Sequence, residues 1–72
     1  MGERILRMRA RDVENLLRKY GFSLISQRGS HRKWRRDRIQ VIIPEHRGRD
    51  LPMGTLRDIL IEAQIPENEW RI

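Results

Sequence analysis

Gly29-Ser30-His31 is the point in this chain where residue types and their order can do proton chemistry on a phosphodiester. A glycine turns the chain tightly and admits another backbone without a side chain in the way. A serine hydroxyl can donate to a phosphate oxygen, and an imidazole, with an ordinary pKa of about 6.5, takes or gives a proton at neutral pH. RNA cleavage needs such a base, to remove the 2′-hydroxyl proton so that the oxygen attacks its own phosphate. Neighbouring cations then stabilise the charge that develops. On its own the tripeptide is a weak motif, and such a run is more often an ordinary histidine at a strand edge.

The residues around it bear on the choice. Arg28 precedes the tripeptide, and Arg32, Lys33, Arg35, Arg36 and Arg38 follow it. In an extended strand side chains alternate, so Lys33 and Arg35 share the face of His31 and are the expected RNA contacts. Arg32, Trp34 and Arg36 fall on the other face. Trp34 is thereby expected in the core rather than stacked on a base. His46, next to Arg47, Gly48 and Arg49, sits beyond a strand end as a phosphate contact, a proton donor or a plain loop residue. Two histidines without cysteine or further ligands at metal spacing do not make a zinc site.

Charge points to the same class of partner. Sixteen Lys and Arg stand against ten Asp and Glu, for a net charge of +6. Fourteen of the sixteen are arginine, whose planar fork binds phosphate and stacks on bases. A polyanionic partner is expected, although a merely soluble basic surface would have the same composition. Without cysteine there are no disulfides and no thiolate chemistry. No apolar run approaches the roughly 20 residues that span a bilayer, and the basic N-terminus has no signal-peptide core. The expected location is the cytoplasm.

The elements that must position these groups follow from periodicity. Val13, Leu16, Leu17 and Tyr20 recur at helical spacing, predicting a helix over 10–20 that Gly21 ends, with Arg11, Asp12, Glu14, Arg18 and Lys19 outside the apolar stripe. Strands are predicted over 22–27, 31–36 and 39–43, joined by Arg28-Gly29-Ser30 and Asp37-Arg38, which implies an antiparallel meander. A second helix is expected over 53–64, burying Met53, Leu56, Ile59, Leu60 and Ala63, with a turn after Pro66 that folds Trp70 or Ile72 back. The fold class is α+β, in the order α-β-β-β-α: a three-stranded antiparallel sheet with two helices on one face, as in double-stranded-RNA-binding domains. Residues 1–72 make one domain, with a core of about 10–65, a loose basic arm or helix extension over 1–9 and a C-terminal turn over 66–72.

Several separated motifs, in order, carry a family resemblance: Gly21-Phe22, Gln27-Arg28-Gly29-Ser30-His31, Val41-Ile42-Ile43-Pro44-Glu45-His46, Leu51, Gly54-Thr55-Leu56-Arg57 and Ile59-Leu60. Over about residues 10–65 the chain resembles the HicA (YcfA-like) toxins. The resemblance implies a metal-independent mRNA interferase without cofactor. It further implies a toxin that is monomeric when free and inhibited in a heteromeric complex with a HicB-like antitoxin. It makes His31 the catalytic residue and Gly29 the motif glycine. Arg28, Gly29, Ser30, Lys33, Arg35 and His46 are the expected RNA-binding set. Arg32 stands where many relatives carry a second histidine. A non-catalytic RNA-binding module of the same fold is the competing expectation.

Overall fold

The computed structural model describes residues 4–45 and 47–72. Helix α1 (Ala10–Lys19) leads into strands β1 (Ser23–Arg28), β2 (His31–Arg36) and β3 (Ile39–Pro44). Helix α2 (Met53–Glu62) and a short 3₁₀ turn (Glu67–Glu69) complete the order. The strands form one antiparallel sheet in the order β1-β2-β3, so the expected α-β-β-β-α architecture is present. No helix of the described residues is long and apolar enough to cross a membrane.

Both helices end in the same way, for the same reason. At the end of α1, Gly21 N–H donates to Arg18 O and Phe22 N–H to Leu17 O, at 3.1 and 2.9 Å. This is the paired arrangement that satisfies the last helical carbonyls and requires a left-handed residue. Gly21 supplies it, at φ +89°. At the end of α2, Gln64 N–H donates to Ile61 O and Ile65 N–H to Leu60 O, both at 3.0 Å, and there the left-handed position (φ +57°) falls to Gln64.

The core lies between the helices and one face of the sheet. Val13 and Leu17 of α1, Trp34, Val41 and Ile43 of the sheet, and Leu56, Leu60 and Ala63 of α2 and its end are buried, with Trp70 closing one side. The buried stripe of α1 is rotated from the expected one. It runs Ala10, Val13, Glu14 and Leu17, the same helical spacing displaced by three positions, so Glu14, expected outside, is inside. Leu16 and Tyr20 are only half-buried. Met53 opens α2 on its exposed side, and of the two C-terminal candidates Trp70 is buried while Ile72 is exposed.

Residues 4–9 form neither a loose arm nor a helical extension. Leu6 N–H donates to Trp70 O and Ile72 N–H to Arg4 O, both at 2.9 Å, and Leu51 N–H donates to Met8 O at 2.8 Å. Ile5 and Arg71 make an antiparallel bridge, and Met8 is buried. Residues 4–6 are thereby stitched to residues 70–72.

Candidate nucleic-acid interface and active site

The helices cover one face of the sheet and leave the other open. Cross-strand partners in an antiparallel pair share a face, so the register decides what the open face carries. In β2, His31 pairs with Arg28 and Pro44, Lys33 with Ser26 and Ile42, and Arg35 with Ser23 and Gln40. His31, Lys33 and Arg35 therefore stand in one row down the central strand, with Arg28 beside His31. His31, Arg28 and Arg35 are exposed and Lys33 is half-buried.

Arg28 reaches this face because β1 is irregular. Ser23 and Leu24 pair with Arg35 and Trp34, but Ser26, Gln27 and Arg28 pair with Lys33, Arg32 and His31. Ile25 is the extra residue of a bulge, and one extra residue inverts which side chains face which way. Under unbroken alternation Arg28 would share the face of Leu24, opposite Trp34, on the helix side.

The turn before His31 is built for access. Gly29 adopts φ +55°, a left-handed conformation that favours glycine, and nothing lies within 4 Å of where its Cβ would be. Ser30 is exposed beside it, and its carbonyl accepts from Glu45 N–H at 2.7 Å. That bond extends the β2–β3 ladder past Pro44, so the backbone of His31 is held on both flanks. Arg35 Nε donates to Asp37 O at 2.8 Å, which holds its guanidinium over the β2–β3 turn. The expected contact His46 lies outside the described residues.

The other face of β2 uses its arginines internally. Arg32 donates to Glu14 Oε1 at 3.0 Å and its second terminal nitrogen lies 3.5 Å from Glu45 Oε1. The Trp34 indole donates to Glu14 Oε2 at 2.9 Å. Arg36 lies over the Phe22 ring at 4.8 Å and donates to Tyr20 O at 2.7 Å, and Arg18 lies over Trp34 at 4.9 Å. A guanidinium engaged in this way shields apolar surface while satisfying its donors. The core placement of Trp34 agrees with the alternation. Arg32, although adjacent to His31 in sequence, is part of a brace behind it.

Sequence reasoning missed Glu14 and Glu45, the two carboxylates that hold Arg32. The available signal was the alternative stripe Ala10-Val13-Leu17, in which Glu14 occupies the remaining position. A carboxylate inside an apolar stripe implies a cationic or N–H partner.

The family comparison covers the same region. A family model described as the HicA toxin of bacterial toxin–antitoxin systems matches residues 10–65, from the first residue of α1 to the end of the α2 cap. Comparisons with curated proteins and with solved structures found no match. With a family match that spans most of its length and the helix–sheet–helix architecture described above, the chain belongs to the HicA toxin family.

Proposed function

We propose that this chain is the toxin of a type II toxin–antitoxin pair, a metal-independent endoribonuclease that cuts mRNA in the cytoplasm with His31 as its proton-transfer residue. The observation that carries this reading is the row His31, Lys33 and Arg35, with Arg28 alongside, on the sheet face that no helix covers. His31 takes the 2′-hydroxyl proton as that oxygen attacks the adjacent phosphorus, and the bond to the 5′ oxygen breaks. The leaving oxygen collects a proton from the imidazolium or from water, and the strand is left with a 2′,3′-cyclic phosphate. Arg28, Lys33 and Arg35 stabilise the phosphorane charge and hold the flanking phosphates, with Gly29 and Ser30 giving the strand room and a hydroxyl donor.

A HicB-like antitoxin inhibits the toxin by covering His31. Because the row it covers is cationic, its contacting surface is acidic. The test is a comparison of wild type with His31→Ala. Wild type arrests growth on expression and cuts single-stranded RNA in EDTA, whereas His31→Ala binds RNA and antitoxin without cutting. Wild-type protein that binds RNA in EDTA and leaves it intact would make this a non-catalytic RNA-binding module. A preference for duplex RNA would point the same way, since duplexes are recognised by shape.

A further inference from the structure

Behind the sheet, a cleft of about 620 Å³ opens between the first turn of α1, Arg32 of β2 and the segment after β3. Arg9, Arg11, Arg18, Arg32 and Arg47 line it, together with three carboxylates, Asp12, Glu14 and Glu45. Each carboxylate is already engaged. Asp12 accepts from Arg9 N–H at 2.9 Å, Glu14 from Arg32 and Trp34, and Glu45 lies 3.5 Å from Arg32. Five guanidinium groups against three carboxylates leave an excess of two positive charges. Arg11 is exposed, and the Arg47 side chain is 94% exposed, with a loose ion pair to Glu45 at 3.9 Å. An ion pair this long and this exposed adds little to the fold, so both cations are available to a ligand.

The cleft also connects with the face of His31. Glu45, on its wall, follows Pro44, the cross-strand partner of His31, and Glu45 N–H is bonded to Ser30 O. Arg32, on its floor, follows His31 in β2. Gly48 lines the cleft and Gly29 stands in the turn two residues before His31, and at neither does another part of the described chain come within 4 Å of a Cβ position. A phosphodiester chain leaving His31 around this end of the sheet meets glycine, then guanidinium groups. An acidic protein segment would be attracted by the same charge. The links through Glu45 and Arg32 to the strand end that carries His31, together with the open space at Gly29 and Gly48, favour a nucleic-acid backbone, which can approach closely wherever a side chain is absent.

We propose that this cleft is a second RNA site, which binds the phosphate backbone of the strand flanking the scissile bond. The proposal rests on the nuclease reading of His31 and extends the substrate footprint beyond it.

The test uses the double variant Arg11→Ala/Arg47→Ala, a dinucleotide RNA that reaches only His31, and a single-stranded RNA of about twelve nucleotides. On the longer RNA, KM rises about tenfold with kcat unchanged, while cleavage of the dinucleotide is unaltered. The slope of log affinity against log salt falls by about 1–2, as expected for two lost phosphate contacts. An equal loss on both substrates, or no loss on either, overturns the proposal. So does a loss of antitoxin affinity with RNA kinetics intact, which would make the cleft a protein interface. If wild type cuts neither RNA, the nuclease reading fails. The salt slope for uncut RNA then still decides the cleft, since an unchanged slope in the double variant removes it.

Discussion

The Trp34 indole donates its N–H to the Glu14 carboxylate at 2.9 Å, across twenty positions of sequence, with both residues buried. The other Glu14 oxygen takes Arg32 at 3.0 Å, so one carboxylate ties α1 to two residues of the strand that carries His31. Removing it strands a buried indole N–H and leaves the partly buried Arg32 guanidinium only its 3.5 Å contact with Glu45. The expected cost of Glu14→Ala is about 2–3 kcal/mol, toward the lower side for a broken buried pair because water still reaches part of Arg32. Glu14→Gln, which keeps an acceptor for Trp34, should lose about half as much. Urea denaturation of the two variants checks the ordering.

Alternate residues of β2 should fail in different ways. Lys33→Ala/Arg35→Ala removes two cations from the open face, so RNA affinity falls and its salt slope drops by about 2, with the thermal midpoint nearly unchanged. Arg36→Ala removes the contact over Phe22 and the bond to Tyr20 O. It should cost about 1–2 kcal/mol of stability with the salt slope intact. Parallel melting and salt-titration curves separate the two outcomes, and a salt-slope loss in Arg36→Ala would contradict the assignment of faces.

Gln64 holds a left-handed conformation at the end of α2 in the position that Gly21 fills at the end of α1. A residue with a Cβ is penalised there by roughly 1 kcal/mol. Gln64→Gly should therefore stabilise the protein by about 0.5–1 kcal/mol, a rise in Tm of about 3–6 °C for a domain of this size. Calorimetry of the single variant is sufficient, and a lower Tm would show that the Gln64 side chain makes a compensating contact.

Lys19 and Tyr20 at the end of α1 both donate to the Glu69 carboxylate, Lys19 at 2.7 Å. The bonds from Lys19 and then Tyr20 hold the Glu69 carboxyl below its ordinary range. The same bonds push the Lys19 ammonium and the Tyr20 phenol above theirs. The contribution of Glu69 is present above the unfolded carboxylate range and is lost as pH falls through its lowered folded value. Those of Lys19 and Tyr20 are present below about pH 10 and are lost as pH rises through their raised folded values. In a Tm–pH profile, the gap between wild type and Glu69→Gln should be widest from about pH 6 to 9 and close as pH falls below the ordinary carboxylate range. A gap independent of pH would show that Glu69 acts by packing alone.

Local pattern determined much of this protein. Helical and alternating spacings placed two helices and three strands, the two short connections implied the meander, and the alternation 31-33-35 set Lys33 and Arg35 beside His31. These properties are legible because a strand or a helix presents its side chains at a fixed period whatever it packs against. Tertiary structure decided which charges are available. Arg18, Arg32 and Arg36 look like Arg28 and Arg35 in sequence, but they meet Trp34, Glu14 and Phe22 only once the helices are laid on the sheet. The register of α1 turned on the same packing, because a buried Glu14 is tolerable only with Trp34 and Arg32 across from it. The bulge at Ile25 carried Arg28 to the open face, and the pairing of residues 4–6 with 70–72 anchored the apparent arm. Each of these outcomes depends on a partner distant in sequence or on a break in the period.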